Sequence, residues 1–175
     1  MTLAATMAGV GFGNAGVHLA HGCSYAVSGL NTSKYRFDGY EADFVPHGVS
    51  VVLTAPAIFR ATAAACPGRH AELAAILKGE NPPVVVALGG GGNVFGGAAD
   101  ARGAGEALAE QLLRYMEALG VPDGLGALGF SERDVPALVR ATLPQRRVLN
   151  LAPGGEADAS AEALASIFER SMKNY

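Results

Sequence analysis

Four histidines carry most of the coordination chemistry open to this chain: His18, His21, His47 and His70. A neutral imidazole suits Fe(II), Zn(II) and similar borderline divalent ions. His18 and His21 stand three residues apart, which on a helix places both rings on one face at a spacing able to chelate. His21 lies in Ala20-His21-Gly22 and His47 in Pro46-His47-Gly48, so each has a glycine beside it that leaves room next to the ring. A helical histidine on an apolar face is more often a hydrogen-bonded core residue than a ligand, so none of the four identifies a site by itself.

The other reactive groups are sparse. Cys23 and Cys66 are too few for a disulfide framework and form no C-x-x-C pair, which points to free thiols in a reducing compartment. The segment 79–103 runs through Asn81-Pro82-Pro83, a valine run at 84–86 and two glycine clusters, Gly89 to Gly92 and Gly96-Gly97. It admits two readings, a buried strand feeding a phosphate-binding loop or a flexible insertion. A dinucleotide fingerprint needs G-x-G-x-x-G opening directly into a helix, and the glycines here miss that register. No Gly-Lys-Ser/Thr follows either, so the insertion reading is the better one.

The elements that must position the histidines are helical by pattern. Residues 2–29 are rich in Ala and Gly, with Leu3, Met7, Val10, Val17, His18 and His21 spaced along helical faces. Glycines at 9, 11, 13 and 16 suggest either close backbone packing, including approach to a ligand, or a loop dividing two shorter helices. Residues 30–46 have loop composition. A second apolar run, 47–65, contains Pro56, which must kink a helix there or begin a new one. Residues 69–78 form a short amphipathic helix closed by Gly79. In 105–119 a stripe of Leu108, Leu112, Tyr115 and Leu119 is expected to face the core. Ser131 with Asp134 reads as a helix start, with Pro136 in the first turn and Val135, Leu138 and Val139 inward. Asp158 or Ser160 caps a last helix buried through Leu164, Ile167, Phe168 and Ser171. About six helices and at most one short strand are expected.

With 175 residues the chain suits one domain. It holds 24 Gly and 33 Ala, so its 50% hydrophobic content is poor in large side chains. Charged residues make up 17%, and the net charge of −3 comes without a basic block, which disfavours nucleic acid and anionic membranes as partners. No apolar window is long enough to span a bilayer and no basic leader precedes an apolar stretch, so a soluble domain is expected. The sequence starts abruptly in helix-competent residues, as if inside a larger fold.

Several collinear pieces resemble one family. They are Ala8-Gly9-Val10-Gly11-Phe12-Gly13-Asn14-Ala15-Gly16, Ala20-His21-Gly22-Cys23-Ser24-Tyr25 and Val45-Pro46-His47-Gly48 continuing to Thr54. Pro67-x-Arg69-His70, Ser131 to Leu143 with Pro144-Gln145-x-Arg147, and Ser171-Met172-Lys173-x-Tyr175 complete the set. Together they are similar to the helical domain of the iron-containing (group III) alcohol dehydrogenases, and within them to the hydroxyacid-oxoacid transhydrogenase branch.

The resemblance implies an all-α fold: a metal-binding helical C-terminal domain spanning 1–175, with the Gly/Pro-rich stretch 79–103 as an insertion. The family's N-terminal α/β nucleotide-binding domain would be absent. It implies a divalent metal, Fe(II) or Zn(II), held by one Asp and three His, of which His21 and His47 would be the two in this chain. Phe12 matches a position lining the substrate pocket. Tyr25 stands where many members carry a further His near the nicotinamide, and is assigned with Phe12 to the catalytic site. His18 has no ligand counterpart and is left as a supporting or core residue. The implied reaction is hydride transfer from 4-hydroxybutyrate through bound NAD to 2-oxoglutarate in a homo-oligomeric full-length enzyme, with the isolated chain inactive. Residues that bind NAD are not assigned. Two alternatives stay open: an NAD-dependent dehydrogenase of a small alcohol, and a non-catalytic helical fragment that binds a partner. A substrate carboxylate has several possible anchors, Lys34, Arg36, Arg60, Arg146 and Arg147. The implied location is the cytoplasm in a bacterium or the mitochondrial matrix in a eukaryote.

Overall fold

The computed structural model describes residues 1–31, 35–80 and 98–175, the last from its backbone alone at 98–100. Lys34, the valine run and both glycine clusters lie outside the described residues.

Two helices, α1 (Thr2–Ala15) and α2 (Leu19–Gly29), occupy the first apolar run. They are divided at Gly16, whose φ of 79° is the left-handed conformation that favours glycine. The backbone there also passes close to the Leu151 side chain, 2.5 Å from where a Cβ would stand. Close packing by the other glycines of α1 is not observed. Gly9, Gly11 and Gly13 face open space, and α1 buries no residue at all.

The second apolar run likewise splits, into α3 (His47–Val52) and α4 (Ala55–Thr62), with Pro56 in the first turn of α4. Proline is tolerated there because its missing N–H would have had no partner inside the helix. Helix α5 (Pro67–Lys78) ends on left-handed Gly79. The long α6 (Ala98–Ala118) begins within the segment read as an insertion and packs against α4 and α5. Short 3-10 turns at Gly126–Leu128 and Glu132–Asp134 lead to α7 (Val135–Thr142), then α8 (Arg146–Leu149) and α9 (Ala161–Arg170). The chain is therefore all-helical among the described residues, with more and shorter helices than the expected six. Its only extended pairing there is a single bridge between Arg36 and Phe44.

Helix α2 is central. It packs on α3, α4, α7 and α8, and Leu19, Cys23 and Val27 at successive i, i+4 positions are fully buried. That spacing places one apolar stripe on one face. The core continues through Leu53, Ile58, Leu138, Leu164 and Phe168. The expected faces of α7 and α9 are buried, Val135, Leu138 and Val139 on one and Leu164, Ile167, Phe168 and Ser171 along the other. Ser160 caps α9 by accepting from Ala163 N–H at 3.1 Å, while Asp158 accepts from Gly154 N–H at 2.7 Å. Asp134 accepts from both the N–H and the hydroxyl of Ser131.

Helix α6 departs from expectation. Its described residues bury Ala101, Ala104, Gly105, Leu108, Ala109, Gln111 and Met116, whereas Tyr115 and the following Leu119 are exposed. Small residues face α4 and α5 because the helices approach closely: a Cβ on Gly105 would stand 2.8 Å from that of Ala63. Tyr115 uses its hydroxyl instead, donating to Leu77 O at 2.9 Å. On α5, Leu73 and Ile76 are exposed as well, so its apolar pattern is only partly covered.

The C-terminal residues are tied to the connector after α6. Leu125 N–H and Gly126 N–H donate to Ser171 O and Met172 O, and Asn174 N–H and Tyr175 N–H donate to Asp123. Gly124, with φ of 72°, leaves only 2.5 Å between a would-be Cβ and Met172 O, so the close approach itself requires glycine.

Candidate metal centre

His21 lies in the first turn of α2 and His47 is the first residue of α3. Their ring centroids are 5.2 Å apart at an interplanar angle of 61°. The two helices are held together by their own packing, so the histidines meet because α2 and α3 meet.

The local chemistry repeats. Ser24 donates to His21 O and Ser50 to His47 O, each at 2.8 Å, and both serines are fully buried. Each histidine thus opens a His-Gly-x-Ser element whose hydroxyl holds the carbonyl of the histidine three residues back. This doublet is visible in the sequence and was the signal that reading histidines one at a time misses. Gly22 adds a packing function. Its α-carbon faces Leu149 of α8, where a Cβ would come within 2.9 Å of Leu149 Cδ2.

Around the pair stand the other expected residues. Phe12 is 6.2 Å from His21 between ring centroids, and Tyr25 is stacked on His47 at 6.2 Å and 20°. All four side chains line one cleft of about 440 Å³, joined by Arg147 and Leu151. Tyr25 and His47 also border a second cleft of about 360 Å³, on whose wall lies Asp43. Burial first, then the neighbouring His47 and His18 rings, lowers the His21 pKa below the ordinary value, which favours the neutral, ligating form.

The remaining histidines are placed otherwise. His70 is buried with both ring nitrogens engaged, Nδ1 against Cys66 O at 3.0 Å and Nε2 against the Thr62 hydroxyl at 3.3 Å. A carbonyl only accepts, so Nδ1 donates to Cys66 O, while the Thr62 hydroxyl beside Nε2 itself donates to Ile58 O at 3.0 Å. His70 is a satisfied structural histidine. His18 precedes α2, and its buried Nδ1 has no hydrogen-bond partner among the described residues. Burial lowers its pKa, with Asp158 opposing and His70 adding to the effect. The i, i+3 helical spacing to His21 expected from the sequence does not apply, because α2 begins only after His18.

The donor set fits a divalent ion in part. Two imidazoles share an open cleft, but no group of three or more His, Cys, Asp or Glu converges among the described residues. A four-coordinate site therefore needs ligands beyond these two.

The fold and the histidine pair define a class. A family model, Fe-containing alcohol dehydrogenase family, C-terminal, matches residues 1–172, and the chain belongs to that family. Among curated relatives it is 47% identical to the hydroxyacid-oxoacid transhydrogenases, named as mitochondrial, of Xenopus tropicalis and Homo sapiens. It is 40% identical to a probable hydroxyacid-oxoacid transhydrogenase, also named as mitochondrial, of Dictyostelium discoideum. Each match covers the whole of this chain but only 34% of the first two relatives and 29% of the third, so the chain spans about a third of their length. No solved structure matches.

Proposed function

We propose that this chain is the metal-binding helical part of a hydroxyacid-oxoacid transhydrogenase. The observation that carries the reading is the His21–His47 pair in a cleft shared with Phe12 and Tyr25, in a chain 47% identical to such enzymes over its full length. In the complete enzyme a hydroxyacid such as 4-hydroxybutyrate gives up a hydride and its hydroxyl proton, and an oxoacid such as 2-oxoglutarate gains both.

His21 and His47 would hold the metal, Fe(II) or Zn(II), with an Asp and a third His from the part of the family's proteins outside this match. When bound, the ion acts as a Lewis acid toward the substrate oxygen. Phe12 supplies an apolar wall beside His21 that keeps water from the reacting carbon and orients the substrate chain. Tyr25, stacked on His47, presents its phenolic Oη to donate to or accept from the substrate oxygen. The hydride carrier on this reading is NAD. The described residues offer no strand-turn-helix phosphate cradle, and none is assigned to it.

The reading also makes 1–175 one domain with 79–103 as an insertion, the complete enzyme a homo-oligomer, and its location the mitochondrial matrix. No helix among the described residues is long and apolar enough to cross a membrane. The test is metal uptake and turnover together. The purified chain should bind Fe(II) or Zn(II) stoichiometrically, and a His21→Ala, His47→Ala double variant should not. Transfer from 4-hydroxybutyrate to 2-oxoglutarate should require the family's nucleotide-binding half. Turnover by the 175-residue chain alone, or metal binding unchanged in the double variant, would overturn the reading.

A further inference from the structure

Among the described residues, the cleft beside the histidine pair is lined by one Lys or Arg, Arg147, and by no Asp or Glu. The other arginines with a claim to the substrate are placed elsewhere. Arg60 Nε donates to Glu106 at 2.7 Å, Arg36 Nη1 donates to Glu41 O at 3.2 Å, and Arg146 does not line the cleft. The position of Arg147 is set by packing. It is the second residue of α8, whose next two residues, Val148 and Leu149, are buried, and Leu149 lies against Gly22 beside His21. A guanidinium stays charged at any physiological pH and matches a carboxylate with two parallel N–H donors.

The charge around the pair is one-sided. Among the described residues, the second cleft, across Tyr25 and His47, carries Asp43, while the Arg147 cleft carries no acid. A negatively charged substrate is therefore repelled on one side and attracted on the other. Two imidazoles and a guanidinium lining one cleft suit a small molecule bearing a hydroxyl or keto oxygen and a carboxylate.

We infer that Arg147 anchors the substrate carboxylate and so selects hydroxyacids and oxoacids over uncharged alcohols. This rests on the proposed function of the same cleft, and names its specificity-determining residue. Arg147 is exposed to solvent, so replacing it leaves the core untouched.

The test titrates the 175-residue chain with 4-hydroxybutyrate and, in parallel, with its uncharged counterpart 1,4-butanediol, following the histidine ring protons by NMR. The wild-type chain should prefer the acid. Arg147→Gln should weaken acid binding about tenfold, as expected for loss of a hydrogen-bonded charge partner, and leave diol binding unchanged. Arg147→Lys should recover part of the loss. Equal affinity of wild type and Arg147→Gln for the acid, or no preference for the acid in the wild type, would overturn the inference. Zn(II) uptake measured on the same samples separates the two ideas. Acid preference that depends on Arg147 without metal held by His21 and His47 supports the anchor and removes the metal reading. Metal held by the pair without acid preference does the reverse.

Discussion

Ser24 and Ser50 make the same hydrogen bond, each donating to the carbonyl of the histidine three residues before it, at 2.8 Å and out of reach of solvent. The two histidines whose rings face each other at 5.2 Å are thus each held by a buried hydroxyl at the start of a helix. Such a bond tightens the first turn, so the imidazole leaves the backbone in a defined direction.

Ser24→Ala and Ser50→Ala should each destabilise the chain by about 0.5–1.5 kcal/mol, the usual net worth of one intramolecular hydrogen bond. For a chain of this size that is a drop of several degrees in the thermal midpoint, measurable by circular dichroism. Each should also weaken metal binding without removing a ligand. A Ser24→Ala chain with unchanged Tm and metal affinity would deny the serine this function.

Glycines in α1 and α2 should respond in opposite directions. Gly9→Ala and Gly11→Ala, where nothing lies within 4 Å, should stabilise by about 0.5–1 kcal/mol each through helix propensity. Gly22→Val pushes into Leu149, which is buried, and should cost about 1–3 kcal/mol. Urea denaturation of the three variants decides the matter.

The thiols differ in reach. Burial pushes the Cys23 thiol up to about 12, so it is neither ionised nor accessible near neutral pH. Cys66 is half-buried, and its pKa is also raised, by burial first. Iodoacetamide at mildly alkaline pH should label Cys66 slowly and Cys23 only on unfolding. Mass spectrometry showing Cys23 modified first in the folded chain would contradict the core described above.

Stability of the metal-free chain should fall in mild acid. The folded-state pKa of His18 lies below the ordinary 6.5, chiefly through burial, so the unfolded chain takes up the proton at a higher pH. The stability is full above 6.5 and is lost as the pH falls from there toward the lowered folded value. His21 acts in the same direction. Urea midpoints measured above and below that pH should diverge in the wild type and diverge less in His18→Gln, where His21 alone keeps the effect.

Much of the fold was legible in residues with local causes. The starts of α7 and α9 follow from Ser131 with Asp134 and from Ser160, the start of α4 from Pro56, and the end of α5 from Gly79, because caps and proline act within one turn. The core faces of α7 and α9 follow from apolar periodicity. The stripe on α6 did so only in part, with Leu108 buried and Leu112 half-buried, since periodicity identifies a face only when large residues point inward. Here close approach to α4 put alanines inside and left Tyr115 and Leu119 in solvent.

The residue types at the site, two His-Gly elements with Phe12 and Tyr25, were set by the sequence and by its likeness to one family. That His21 faces His47, that His70 is satisfied by Cys66 and Thr62, and that Arg147 rather than Arg60 borders the cleft were decided by tertiary packing. The reason is physical. Helix signals are carried by residues three or four apart, whereas a cleft is made by helices distant in the chain, and which of them meet is determined by how α2 buries Leu19, Cys23 and Val27 among its neighbours.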